Sequence, residues 1–325
     1  MKKKTIVAVA LILALLSGCA KDNGSTASSE QSSSETAPET VVETVAETTE
    51  SIQTQAPAET TVMTLAEVDT DAWKMTAGKK KDHQQKLKFE TNDNEFSVRV
   101  LYPESKAKKV PAVIIFNYED PVSGVHYELY EGCIEALASE GMACFFIEPF
   151  GVGETVGGCA CPTPDNINEM ITVLLANMDK IHGIDSSKIV LWSNSRLELF
   201  TLNAMQDKSD KVSAIFLPGT SFLKDGAYIR ELIPDKKEAS ADWYIDGMYD
   251  VDAEVLFKKI KTKVYIYTPL ICDPDEEELC EKYCSYFSDK VLERAGMVSD
   301  LNKVDRGEGE IFEKAVEDLK TLFEK

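Results

Sequence analysis

The stretch "LWSNSRLE", residues 191–198, passes from a strand-like apolar run into a helical pattern across a few polar residues, with Ser195 at the tip of the turn. Upstream, "KIVLWS" (188–193) has a continuous apolar run without the alternation of a half-exposed strand, so it reads as a strand covered on both faces. Downstream, "RLELFTLNAMQ" reads as helix to about Gln206. A buried strand feeding a helix through a tight turn is the unit of a parallel α/β sheet, and the neighbouring sequence repeats that unit.

Lys86–Thr91 and Glu95–Tyr102 alternate on either side of "NDNE", which predicts an antiparallel hairpin. "VPAVIIFN" (110–117) and "MACFFIEPF" (142–150) are further buried strands, separated by a helical stretch, Tyr127–Glu140, that Gly141 closes. A helix is predicted from Pro164 to Gly183, then the opening strand, then "KVSAIFLP". An irregular segment, Gly219 to about Asp252, precedes strand "KVYIY". After it come one long helix, "DEEELCEKYCSYFSDKVLERAG", a short strand near Met297–Asn302 and a terminal helix from Glu308. The expectation is a mostly parallel sheet of about eight strands with helices on both faces, an antiparallel hairpin at one edge, and a small cap between the sixth and seventh strands.

This order resembles the α/β-hydrolase fold, with the dienelactone-hydrolase and serine-aminopeptidase-like members nearest in pattern. Three motifs carry the resemblance. "EPFGVGET" stands where the family has Asp-x-x-Gly-x-Gly-x-Ser, "SNSRL" occupies the Gly-x-Ser-x-Gly nucleophile elbow, and "CDPD" follows the seventh strand, where the acid lies. The resemblance therefore implies Ser195 as nucleophile, Asp273 as the acid, and backbone N–H groups near Arg196 and Tyr118 as the oxyanion donors. A dinucleotide fingerprint is not met at Gly151-x-Gly153, because the third glycine is Gly157 and the helix starts well downstream.

The chain departs from the family in three places. Leu197 stands where a small residue lets helix and strand backbones close together. "NKVDRGEGE" (302–310) fills the place of the catalytic histidine, and Asn117-Tyr118-Glu119-Asp120 puts acids where a developing oxyanion needs donors. The three histidines, His83, His126 and His182, all precede Ser195. Of these His126 follows a strand by a loop on the catalytic face, so it is the candidate base; His182 and His83 read as structural and as part of a polar lead-in. Asp273 has the alternative reading of a helix-capping turn residue.

Cys133 and Cys144 lie in apolar contexts and read as buried small hydrophobes. Cys159, Cys161, Cys272, Cys280 and Cys284 are disulfide candidates for an exported protein; their spacing is not a strong zinc pattern, and no metal or cofactor is expected.

The N-terminus fixes the setting. Residues 1–18 put Lys2–Lys4 ahead of an apolar run too short to span a bilayer, and "LSGC" resembles a lipobox, which implies cleavage before Cys19 and lipidation of its thiol. Residues 19–66, rich in Ser, Thr and Glu, cannot bury enough apolar area to offset their ordering entropy and read as a disordered tether. Residues 67–325 form the α/β domain. The leader and tether hold four of the 35 lysines and arginines and eight of the 56 acids, so the domain carries about −17. Net repulsion of that sign argues against nucleic acid or anionic lipid as a direct partner, since both are polyanions, and the membrane is expected to be contacted through the N-terminal lipid only.

The functional expectation is an exported, lipid-anchored protein on the bacterial cell membrane or envelope surface. It is catalytically degenerate and binds a small-molecule or peptide ligand in the pocket under the cap. The alternative is a carboxylic-ester, thioester or peptide hydrolase with Ser195 as nucleophile and a non-standard base.

Overall fold

The computed structural model describes residues 64–116, 127–148, 163–193, 197–219, 252–270 and 274–324. All of them lie within the compact unit Pro57–Lys325. The leader, most of the tether and the expected cap residues 220–251 lie outside the described residues.

Nine strands form one sheet: β1 (Lys74–Ala77), β2 (Gln84–Glu90), β3 (Glu95–Leu101), β4 (Val110–Phe116), β5 (Ala143–Glu148), β6 (Ile184–Ser193), β7 (Ala214–Pro218), β8 (Lys263–Thr268) and β9 (Lys290–Arg294). Their order is β1-β2-β3-β5-β4-β6-β7-β8-β9. The edge β1-β2-β3-β5 is antiparallel and every pairing from β5 to β9 is parallel. The helices are α1 (Tyr127–Ser139), α2 (Pro164–Leu175), α3 (Leu197–Met205), α4 (Ala253–Lys259), α5 (Pro274–Cys284), α6 (Leu301–Val304) and α7 (Gly309–Glu324).

Burial explains the sequence pattern. All six residues of β5 and all five of β7 are buried, because helices cover both faces there. At the edge, β2 alternates: Leu87 and Phe89 point into the core while Lys86 stays exposed. Phe89 pairs with Phe96 across the hairpin, their rings stacked at 4.7 Å, and Trp73 closes the group edge-on at 5.2 Å from Phe96.

The structure corrects the expected element list in four places. A ninth strand, β1, is short and mostly exposed, so it carries no apolar signature. Helix α2 stops at Leu175 rather than running to Gly183. Asn177 donates its side-chain amide to the Val173 carbonyl at 2.8 Å, satisfying locally a group the next helical turn would have taken. The long helix predicted after "CDPD" is divided, with α5 ending at Cys284 and "KVLER" forming β9 alongside β8. Leu, Glu and Arg favour helix in isolation, and pairing from Val264↔Lys290 to Thr268↔Arg294 overrides that preference. The strand expected near 297–302 is accordingly a 3-10 turn, Val298–Asp300, leading into α6.

Helix α1 approaches the segment before α7 backbone to backbone. A methyl group on Gly132 would overlap the Arg306 carbonyl, and one on Gly307 would stand 2.7 Å from the Gly132 carbonyl. At an open helix position Gly→Ala gains up to about 1 kcal/mol. Here the overlap outweighs that gain, so Gly132→Ala is expected to lower unfolding stability by about 1–3 kcal/mol, measured as a reduced urea midpoint.

Candidate functional site

Parallel strands end together. Phe116 of β4 pairs with Ser193 of β6, so both strands stop at the same level of the carboxyl edge. Residues 117–126 and 194–196 follow these two ends in the sequence. Ser195, Arg196, Tyr118 and His126 fall within them, outside the described residues, as do Asp273, Cys159, Cys161, Cys272 and Cys19.

The frame around the turn is described. Ser193 is fully buried, and its hydroxyl lies 3.0 Å from that of Thr201, also fully buried, one turn into α3. This hydroxyl pair ties the end of the strand to the helix at the junction where the sequence pattern calls for small residues. Glu198, in the first turn of α3, is a buried carboxylate that the sequence reading did not single out. A negative charge there is favoured by the helix N-terminus.

Glu148, the last residue of β5, is 2% exposed and accepts from Arg99 Nε at 2.8 Å. Arg99 in turn lies 4.9 Å from the centre of the Tyr127 ring at the start of α1. Burial, with smaller help from Glu131, pushes the Tyr127 phenol up to about 12, and its ring packs edge-on against Phe146 at 5.6 Å. The group anchors α1 to the edge hairpin. Glu148 thus works as a buried structural anion.

The place of the catalytic base is the best-defined part of the site. Because β9 ends at Arg294, the loop into the last helix runs from Ala295 to Glu308, and it contains no histidine. It folds around Asp300 instead. The Asp300 carboxylate accepts from the Met297 N–H at 3.1 Å and from Lys303 Nζ at 2.8 Å. Lys303 first, and the Met297 N–H next, hold this carboxyl below the usual range. A side chain on Gly296 would overlap that carboxylate, and φ is +69° there, so only glycine fits. The loop is stitched to its neighbours: the Ala295 N–H donates to Thr268 at 3.1 Å and the Leu270 N–H to Gly296 at 3.2 Å. Leu270, Met297 and Val298 stand exposed on this rim.

The two described histidines are at the other edge. His182 precedes β6, whose ends at Ile184 and Ser193 pair with Val110 and Phe116 of β4, a distance of about 20 Å. His83 opens β2, and its carbonyl accepts from Tyr102 at the end of β3; Leu101 pairs with Cys144, near the start of β5. Its imidazole is half-exposed, 3.9 Å from Glu104. Neither reaches the carboxyl edge.

Cys280 and Cys284, expected among the disulfide candidates, are free and buried in α5. The Cys284 thiol hydrogen-bonds to Cys280, which lowers the Cys280 value and raises that of Cys284. Cys133 and Cys144 are also free and buried, and burial pushes both thiols up. Among the described residues no three metal-ligating side chains gather.

Two predictions follow from this geometry. Thr201→Val leaves the buried Ser193 hydroxyl without its partner and is expected to cost about 1–3 kcal/mol in chemical unfolding, whereas Ser193→Ala/Thr201→Val together cost less than the single change. Asp300→Asn is expected to lower the melting temperature at pH 7. Because the folded-state value is depressed, the charge contribution of Asp300 is present above the unfolded value of about 3.9 and disappears as pH falls through the folded value. Wild type and Asp300→Asn are therefore expected to converge in melting temperature below about pH 4.

No protein-family profile matches the sequence, and no curated protein matches it. Solved structures do match the fold. Est1E from Butyrivibrio proteoclasticus superposes with a TM-score of 0.53 at 14% identity, over 74% of this chain and 99% of that one. DcsB, solved with its substrate analogue, gives 0.51 at 15% identity over 78% and 99%. A cold-adapted esterase from an Arctic intertidal metagenomic library gives 0.50 at 15% identity over 77% and 98%. The architecture is an α/β-hydrolase fold.

Proposed function

We propose that this α/β-hydrolase-fold protein is exported and lipid-anchored through Cys19, and that it binds a small-molecule or peptide ligand at the carboxyl edge of its sheet without triad catalysis. The observation that carries the reading is the loop after β9. In this fold the base for the elbow serine comes from that loop, and here it contains no histidine and folds around Asp300 and Lys303. Both described histidines lie at the opposite edge. A serine hydroxyl needs a base within about 3.2 Å, or one water away, to attack near neutral pH. The structural neighbours, at 14–15% identity, support a hydrolase-type scaffold and leave the chemistry of this site to its own residues.

A second reading is a carboxylic-ester, thioester or peptide hydrolase in which Ser195 attacks and His126 is the base. One observation favours it: β4 and β6 end level at Phe116 and Ser193, the last described residues before His126 and Ser195 in the sequence.

A fluorophosphonate probe separates the two. The proposal expects background labelling that is equal in wild type and Ser195→Ala, with no turnover of short-chain nitrophenyl esters above buffer. Labelling abolished by Ser195→Ala and cut by His126→Ala overturns it in favour of the hydrolase.

A further inference from the structure

The cations of this acidic chain are unevenly placed. Residues 79–109 hold nine lysines and arginines against five acids, a local charge of about +4 in a chain of net −21. The fold gathers them. The turn between β1 and β2 and the connection between β3 and β4 meet at the amino-terminal edge of the parallel sheet. There the Gly78 N–H donates to Lys86 and the Tyr102 N–H to His83, each at 2.8 Å, and Lys80 Nζ sits 3.7 Å from the Tyr102 ring centre. Lys80 and Lys108 line a cavity of about 270 Å³ with His182. Beside it, Lys79, Lys81, Lys86 and Arg99 line one of about 450 Å³ against Tyr127, and Gln85 borders both.

Lysines 79, 80, 81, 86, 106, 108 and 109 are all exposed. Three acids face them. Asp82 is 3.9 Å from Lys81, Glu104 is 3.9 Å from His83, and Asp185 is engaged by the Ser187 N–H and hydroxyl. Among the described residues the ammonium groups of Lys79, Lys80, Lys106, Lys108 and Lys109 have no carboxylate within 4.0 Å. Cations outnumber acids on this face, and the partial compensation falls on Lys81, beside Asp82, and on Lys109, whose charge, after the Ser187 hydroxyl, lowers the Asp185 value.

We propose that this lysine-rich amino-terminal edge is a docking face for an anionic phospholipid bilayer, and that it holds the domain with the carboxyl edge turned away from the headgroups. The net negative charge of the domain does not forbid this. Screening acts over about 10 Å at 0.1 M salt, while the parallel strands separate the two edges by about 20 Å, twice that length. Charges on the far edge are therefore weak at the contact, and the near face decides the sign. Each lysine close to such a surface is worth roughly fivefold in partitioning. The lysines come from two loops and a strand spread along an edge, a footprint that suits an extended charged surface more than a single bound polyanion strand. The expected lipid on Cys19 would hold the domain close to a bilayer, although the electrostatic docking does not need it.

The test uses the chain from Ala20 onward, which lacks the lipid attachment, in sedimentation with phosphatidylglycerol or phosphatidylcholine vesicles. Binding to the anionic vesicles alone is expected at about 50 mM salt, with loss of it at about 500 mM. Lys79→Glu/Lys80→Glu/Lys81→Glu, all in an exposed turn, is expected to weaken it by a hundredfold or more with unchanged circular dichroism. Reversal of Lys282 and Lys314, on α5 and α7, leaves binding within about twofold of wild type. The proposal is overturned if wild type ignores anionic vesicles, if the triple variant binds as wild type does, or if the chain binds soluble polyphosphate but no vesicle. None of these outcomes depends on whether Ser195 is catalytic.

Discussion

The parallel pairing of β4 with β6 is the constraint on which the rest of the molecule depends. It stacks Ala112 on Ile189 and Phe116 on Ser193, and so brings two strand ends to one level at the carboxyl edge. With β7, β8 and β9 aligned in the same sense, the connections that carry the elbow, the acid position and the base position leave from that edge. The same alignment puts the entry turns of the strands at the opposite edge. Two surfaces of opposite character result: an exit edge with buried carboxylates and an apolar rim of Leu270, Met297 and Val298, and an entry edge dominated by lysine. A sheet covered on both faces leaves only its two ends for chemistry, and this chain has built them differently.

At the exit edge, electrostatics explains what occupies the position of a base. A histidine that accepts a proton during each turnover must be free to change charge. The loop after β9 instead has a fixed charge pair, Asp300 with Lys303, reinforced by the Met297 N–H and enclosed by two glycines with positive φ, Gly296 and Gly309. That arrangement stabilises one charge state of the aspartate and locks the loop conformation. It suits a wall of a binding site better than a proton shuttle. The Ser193–Thr201 pair acts in the same direction, fixing the strand-to-helix junction by a buried hydrogen bond.

Much of this was legible in the sequence, for physical reasons. Short, β-branched and aromatic apolar runs such as "VPAVIIF" and "ACFFIE" suit strands covered on both faces, and alternation around "NDNE" suits an edge hairpin, so both parts of the sheet could be read from the sequence. The missing histidine was equally plain, because it is a matter of composition. Other features were not legible. "KVLER" becomes β9 through its pairing with β8, a contact with a segment more than twenty residues away, and its own residues favour a helix. That error moved the start of the base loop from about residue 302 to Ala295 and hid Asp300. Nor does net charge reveal segregation: a total of −21 gave no sign that the two loops around Lys80 and Lys108 would meet on one edge.

The central claim is that the elbow serine has no working base, and the most direct measurement is intact-protein mass spectrometry after incubation with nitrophenyl acetate near neutral pH. The account predicts a protein mass unchanged from the untreated chain, with Ser195→Ala indistinguishable from wild type. An acetyl group trapped on Ser195 of the wild type, absent from Ser195→Ala and decaying with release of acetate, would contradict it.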